Sequence, residues 1–422
     1  MSDIHIKPSK LAGTVKIPPS KSAAHRAIIC AALSDGVSKI YPISESKDMS
    51  ATVNAMRALG AEVKKDGDTL TVKGVFSGKE RNNSKQTIDC IESGSTLRFL
   101  IPIAAALGGD FTFTGQGRLP QRPISCYDEL LTSHSVKVEY NGTLPFSFKG
   151  KLTPGVFKLP GDVSSQYVTG LLLALVLLNG DSEIIMTSPL QSKAYVDITV
   201  SVMKDFGVLV SSTENGYFVK GSQRFTPREY NVEGDWSQGA FFLCADALGA
   251  QIEVKGLGLN SLQGDREILA ALEKMGAEIK SDNNSITLSA KELRGTVIDA
   301  QEIPDIIPIL ALTACFCKTE THFKNCARLR IKESDRLEST RELIVSLGGK
   351  AEIKGDELIV FPSKLKGGSV NGYNDHRIVM SAAIAAAFSL SDTTISDRES
   401  INKSYPDFFE DYKKLGGNIY DF

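Results

Sequence analysis

Apolar and polar positions along this chain fall into a phrase that recurs: an amphipathic helix end, a glycine, two residues, an apolar position, a polar turn, then an alternating strand. Its clear copies are Ala55–Gly74, Val202–Gly221, Ala271–Ser289 and Leu343–Phe361. Two weaker copies complete the series. Tyr127–Gly150 has Ser133 in the glycine's place, and Tyr412–Phe422 is cut off after its first strand. The key positions Gly60, Ser133, Gly207, Gly276, Gly348 and Gly416 fall roughly 70 residues apart, which predicts six copies of one unit. Each glycine suits a helix C-cap, and each segment after it suits a hairpin. The sixth copy lacks its second strand. Ile4-His5-Ile6 alternates, has no partner nearby, and is predicted to supply that strand, bringing both ends of the chain into one domain.

A second set of helices runs out of phase with the first and is apolar on nearly every side: Ala23–Leu33, Leu97–Leu107, Tyr167–Leu178, Ala240–Leu248, Ile306–Cys315 and Ile378–Leu390. Helices of that kind must be buried, whereas strands such as Thr69–Lys73 alternate and can show one face to water. The pattern predicts an α/β architecture with helices inside and sheets outside. At 422 residues the chain exceeds one compact core. Three repeats are assigned to an N-terminal domain, residues 15–230. Three more form a C-terminal domain, residues 1–14 with 231–422, with chain crossings near Gly13–Pro19 and Arg228–Gly234.

Composition narrows the partners. A formal net charge of −2 and a pI near 6.3 argue against nucleic acid or a membrane surface, so a basic site must be local. The longest apolar runs are too short to span a bilayer, and Met1–Gly13 lacks the apolar run of a signal peptide; a cytoplasmic protein is expected. Seven scattered cysteines read as buried free thiols. Cys315-x-Cys317 with His322 and Cys326 has the wrong spacing for a zinc knuckle, and no metal site is expected. Neither a P-loop nor a dinucleotide-binding glycine fingerprint occurs.

The candidate chemistry sits where the buried helices begin. Pro18-Pro19 stops the preceding segment, Ser20 or Ser22 can cap the first helix, and Lys21 and Arg26 lie at its positive end, making an anion site. The other starts carry Glu92-Ser93-Gly94-Ser95-Thr96 with Arg98, Ser164-Ser165-Gln166, Asp235-Trp236-Ser237, Pro304-Asp305, and Asn374-Asp375-His376-Arg377. Capping accounts for Asp235 and Ser237, whereas Ser164-Ser165-Gln166 exceeds what one cap requires. Gly94 leaves backbone open to an anion. Arg122, Arg328, Arg330, Lys332, Arg336 and Lys403 add charge, and a helix through Glu333 would put Lys332 and Arg336 on one face. Two such faces closing on each other would form an electropositive cleft for a multiply anionic ligand.

The stretches PPSKSAAHRA, ESGSTLRFL, LPQRPI, GDVSSQYVTGLL, SKAYVDIT, IPDIIP, RLRIKESDRL, NDHRIVM and NKSYPDFFE, in this order, resemble the 5-enolpyruvylshikimate-3-phosphate synthase family over the full length. The resemblance implies a two-domain inside-out α/β barrel of six βαβαββ repeats, three per domain, with buried parallel helices and an active site in the interdomain cleft. It implies a monomer that joins shikimate 3-phosphate to phosphoenolpyruvate and releases phosphate, with no metal or organic cofactor. The shikimate 3-phosphate site would take Lys21, Ser22, Arg26, Ser164, Ser165, Gln166, Ser192, Tyr195, Asp305 and Lys332. Phosphoenolpyruvate would take Lys21, Gly94, Arg122, Gln166, Arg336, Arg377 and Lys403. Lys21, Asp305, Glu333 and His376 would move protons. The chain departs from the family pattern at Glu92 and Ser95 about Gly94, and at Arg328. Related enolpyruvyl transfer to UDP-N-acetylglucosamine usually carries a Lys-Asn pair and a reactive loop cysteine; here Ser22 follows Lys21, and Cys126 sits past Arg122 beside a helix. A catalytically silent anion-binding protein would not need Lys21, Asp305, Glu333 and His376 together.

Overall fold

Six helices start at the polar motifs and are buried along nearly their whole length in the computed structural model, which describes residues 2–77, 84–282 and 285–420. They are Lys21–Ala32, Gly94–Leu107 and Ser165–Leu175 in one unit, 19–232, and Trp236–Ala247, Ile307–Ala314 and His376–Phe388 in a second, 1–18 with 233–422. Every residue from Ala23 to Ala32 is buried, as a helix without a polar face requires. Each of the first five core helices is followed by a strand, a second helix, and two more strands, and the sixth by a strand, a helix and one strand.

The strands form six four-stranded sheets, three per unit, all with one topology. In the first, Glu229–Asn231 lies parallel to Val37–Tyr41, which pairs antiparallel with Thr69–Lys73, which pairs antiparallel with Glu62–Asp66. Within Thr69–Lys73 only Leu70 and Val72 are buried, so one face of the strand packs on the helices and the other meets water. Ile4–Lys7 takes the missing place in the sixth sheet, antiparallel to both Thr393–Ile395 and Asn418–Tyr420. Ala12–Lys16, which the expected boundary at residues 14 and 15 would split, pairs over its whole length with Gln251–Lys255 and so belongs entirely to the second unit.

The glycine phrase marks helix ends: Gly60, Gly207, Gly276, Gly348 and Gly416 all have positive φ. The residue in that place in the second repeat is Ser135, with φ 71°, and not Ser133, because the helix runs through Ser133 and His134 caps it. Residues 283 and 284, expected in the turn of the fourth hairpin, lie outside the described residues, as do 421 and 422 at the end of the sixth copy. Among the described residues no helix is long and apolar enough to cross a membrane.

Five of the six core helices are capped by a side chain: Ser20, Ser93, Ser164, Asp235 and Asp375 each accept a hydrogen bond from a backbone N–H in the first turn. Ser20, not Ser22, caps the first. The helix Ile307–Ala314 lacks a side-chain cap and has a proline in its first turn instead, so Asp305 does not serve as a cap.

Candidate functional site

In the 19–232 unit, Lys21 opens its helix with Nζ 2.8 Å from Asp48 Oδ2, on the second helix of the same repeat. One turn on, Arg26 is almost wholly buried. Its Nε donates to Thr199 Oγ1 at 2.7 Å, Nη1 to the Ser22 carbonyl at 2.7 Å, and Nη2 to the Tyr195 carbonyl at 2.8 Å. No carboxylate is among these partners, and burial lowers its pKa to about 10. Ser192 adopts a left-handed conformation at the start of the helix Lys193–Asp205, three residues before Tyr195.

A second group gathers at the next helix start. Pro102 lacks the N–H that would bond the carbonyl of Arg98, four residues earlier, and Tyr127 Oη donates to that carbonyl at 2.6 Å instead. Gly170 permits the approach, since a Cβ there would stand 2.4 Å from the same carbonyl oxygen. Arg98 then points back along its helix, donating to Gln166 Oε1 at 2.8 Å and the Pro123 carbonyl at 2.9 Å. Gln166 in turn donates to Ser95 Oγ at 2.9 Å. A Cβ on Gly94 would meet Arg122 Nη1 at 2.8 Å and Arg98 Nη1 at 2.9 Å, so two guanidinium groups crowd this glycine. Ser164 caps its helix through the N–H of Gln166, and Ser165 is buried beside it.

The 233–422 unit is built differently. Arg336, 1 % exposed, donates Nε to Asp375 Oδ2 at 3.0 Å, Nη1 to Asp305 Oδ1 at 2.8 Å and Nη2 to Glu333 Oε2 at 2.6 Å. Burial works against its charge, but Asp375, Glu333 and Asp305 outweigh it and hold the guanidinium firmly protonated. Lys332 Nζ lies 3.1 Å from Asp305 Oδ1 and Arg377 Nη2 3.8 Å from Asp305 Oδ2, so three cations address one carboxylate. Burial, with the nearby charges of Arg336 and Arg328, lowers the pKa of Lys332, which Asp305 opposes. Lys332 and Glu333 are not on a helix with Arg336, as the spacing suggested. Asp335 caps that helix, which starts at Arg336, and Lys332 is extended. The shared carboxylate of Asp305, not a helix face, brings Lys332 and Arg336 together. His376 begins its helix with Nδ1 3.9 Å from Asp375 Oδ1, and Lys403 donates to the Asn374 carbonyl at 2.6 Å.

Four residues given no role in the sequence reading belong to these clusters. Asp48, Asp265 and Asp375 hold cations or caps across long stretches of chain, and Arg98 joins Gly94 to Gln166. Asp265 is buried, accepts a short hydrogen bond from Ser237 Oγ, and has a raised pKa from burial and from the charge of Asp305, against the pull of Ser237 and Arg377. Arg377 Nη1 donates to the Ser237 carbonyl at 3.0 Å, which connects Asp265 to the lattice. Only the helix-start motifs could have signalled Arg98 and Asp375. Among the described residues no group of three or more His, Cys, Asp or Glu has the geometry to hold a metal ion. Cys315, Cys317 and Cys326 donate to carbonyls, and burial pushes their thiols up to about 12.

The sequence model of the family described as EPSP synthase (3-phosphoshikimate 1-carboxyvinyltransferase) matches residues 6–412. Proteins named 3-phosphoshikimate 1-carboxyvinyltransferase from Clostridium botulinum (strain Alaska E43 / Type E3) and Clostridioides difficile (strain 630) are each 46% identical to this chain. The first alignment covers 100% of this chain and 99% of the relative, and the second 99% and 98%. Among solved structures, the EPSP synthase of Acinetobacter baumannii superposes with a TM-score of 0.83 at 24% identity, covering 100% of both chains. The enolpyruvyl transferase NikO of Streptomyces tendae superposes with 0.80 at 18%, covering 99% of this chain and 98% of its own. These two likenesses concern the fold.

Proposed function

The chain belongs to the EPSP synthase family, and from that membership we infer that it transfers the enolpyruvyl group of phosphoenolpyruvate to the 5-hydroxyl of shikimate 3-phosphate, a step of the shikimate pathway toward chorismate and the aromatic amino acids. The observation that carries the reading is the full-length identity with relatives named for this activity. The buried cation clusters agree with it, since both substrates are multiply anionic.

The reaction adds the substrate hydroxyl oxygen to C2 of phosphoenolpyruvate while C3 takes up a proton, giving a tetrahedral phospho-ketal. Loss of a proton from the new methyl and cleavage of the C2–O bond to phosphate then leave the enol ether. One group must accept the hydroxyl proton, and another must give and recover the C3 proton. We assign the first role to Asp305 and the second to Lys21 with Glu333, with His376 beside the caps. In this reading Ser22, Arg26, Ser164, Ser165, Gln166, Ser192, Tyr195 and Lys332 bind shikimate 3-phosphate. Gly94, Arg122, Gln166, Arg336, Arg377 and Lys403 bind phosphoenolpyruvate, and Lys21 touches both. The pairing of Lys21 with Asp48 supports Lys21 as the donor of the C3 proton, because a neighbouring carboxylate favours the ammonium form. Arginines serve where charge grows on carboxylate and phosphate.

Phosphate release measured with phosphoenolpyruvate and each acceptor offered separately tests the reading. Release with shikimate 3-phosphate is expected; release only with UDP-N-acetylglucosamine, or with neither, sinks it. We further infer a cytoplasmic monomer. Light scattering checks the monomer, a mass near 45.6 kDa being expected and twice that overturning it.

A further inference from the structure

A buried hydrogen-bond chain that the steps above do not use ties together the start of the first two core helices of the 19–232 unit. His25 Nδ1 lies 2.7 Å from Thr52 Oγ1, Thr52 Oγ1 lies 2.7 Å from Thr96 Oγ1, and Thr96 Oγ1 donates to Ser93 Oγ at 2.7 Å. All four side chains are buried. They come from three helices: His25 from Lys21–Ala32, Thr52 from Lys47–Ala58, and Thr96 with the cap Ser93 from Gly94–Leu107.

A hydroxyl has one hydrogen to give. Thr96 gives its hydrogen to Ser93, so the hydrogen between Thr52 and Thr96 must come from Thr52. Thr52 then has none left for His25, so the hydrogen of that last bond must sit on Nδ1. Burial, reinforced by Lys21 and Arg26, disfavours a charged imidazole here. Nε2 is buried without a hydrogen-bond partner among the described residues, a place for a bare nitrogen and not for an N–H. The far end has the complementary property. Ser93 Oγ accepts from the Thr96 hydroxyl and, at 3.2 Å, from the Thr96 N–H, which leaves its own hydrogen committed to neither. It stands next to Gly94, which Arg98 and Arg122 face.

We propose that His25 is a positioning residue: as the neutral Nδ1–H form it sets a one-way relay through Thr52 and Thr96 that fixes the Ser93 hydroxyl as a donor to an oxyanion of phosphoenolpyruvate. This rests on the preceding reading that phosphoenolpyruvate takes the Gly94 helix start. Without the His25 N–H, Thr52 can accept instead of donate. The relay can then reverse, and Ser93 turns its hydrogen inward.

Full-length variants test it by steady-state phosphate release, with the KM of each substrate measured at saturating concentrations of the other. His25→Leu and Ser93→Ala are expected to raise the KM for phosphoenolpyruvate about tenfold, or 1.4 kcal/mol in binding, while that for shikimate 3-phosphate changes less than about twofold. His25→Asn, which keeps a donor near the Nδ1 position, is expected to restore most of the loss. Equal rises in both KM values, a fall in kcat alone, or no rescue by Asn overturns the proposal. Nitrogen-15 NMR of the histidine-labelled wild-type chain reads the tautomer with no substrate present, the His25 signal being the one absent from His25→Asn. Protonation on Nδ1 is expected, and protonation on Nε2 overturns the relay even if His25→Leu or Ser93→Ala fails to fold. A wild-type chain that releases no phosphate from phosphoenolpyruvate and shikimate 3-phosphate would instead sink the function while leaving the tautomer result standing.

Discussion

Arg26 and Arg336 are both buried guanidinium groups near the start of a helix, one in each unit, and their surroundings are opposite. Arg26 bonds only hydroxyl and carbonyl oxygens, and burial lowers its pKa; Arg336 bonds Asp375, Asp305 and Glu333, and its pKa is raised. A buried charge held by neutral acceptors is positioned but not neutralised, so an arriving dianion gains from it. A buried charge already matched by carboxylates is stable without ligand and suits a site that must keep acids and bases in fixed relation. The Arg26 guanidinium is therefore left to gain from an added negative charge, whereas the Arg336 guanidinium is already balanced by its own carboxylates.

Asp375→Asn strikes the lattice hardest. The amide can still cap the helix but leaves Arg336 short of a buried counter-charge, so a loss of about 3–5 kcal/mol is expected in urea unfolding. A loss below about 1 kcal/mol would mean that Arg336 does not depend on its carboxylates, and the contrast would fail. On the other side, Thr199→Val removes the acceptor of Arg26 Nε without touching any charge, and about 1–3 kcal/mol is expected. Added inorganic phosphate should recover part of that loss if the guanidinium is an anion receiver. Gly94→Ala pushes a Cβ against Arg122 and Arg98, and is expected to raise the KM for phosphoenolpyruvate about tenfold, with a smaller effect on shikimate 3-phosphate. Equal effects would place Gly94 outside the phosphoenolpyruvate site.

The finest test uses Asp265. Its folded-state pKa is raised, so the folded chain binds more protons than the unfolded one. The stability this lends is present below the ordinary carboxylate value of about 4 and is lost as pH climbs through the raised value. Asp265→Asn removes the titration while keeping an acceptor for Ser237. The variant should gain on the wild type as pH rises from about 4 toward neutrality, by on the order of 1 kcal/mol. A difference that stays flat with pH would show that the carboxyl is not raised.

The architecture was legible because it is periodic. Helix ends, hairpins and all-apolar helices repeat, and the orphan strand Ile4–Lys7 had one vacant place to fill. The error at Ser133 arose where the glycine was missing and only the helix length, set by packing, could locate the turn. The site was legible where residues cluster at helix starts, as with Lys21 and Gly94. It was not where a partner comes from elsewhere in the chain. Asp48 stands 27 residues from Lys21 and Thr199 173 residues from Arg26, and no local pattern ties either pair. The spacing of Lys332 and Arg336 suits a helix face, but Asp335 caps the helix at Arg336 and leaves Lys332 outside it.

The placing of Ile4–Lys7 and Ala12–Lys16 has a consequence for how the protein is made. Both strands leave the ribosome well before their sheet neighbours, which lie at Gln251–Lys255, Thr393–Ile395 and Asn418–Tyr420. At about 5–20 residues per second, Ile4–Lys7 waits roughly 20 to 80 s for the strands that flank it. The 19–232 stretch can assemble during that interval, since all of its strands lie within it. The other unit must hold Ala12–Lys16 in reserve until Gln251–Lys255 is made and Ile4–Lys7 until its final repeat is, with their open edges exposed to any chaperone or stray β-strand nearby.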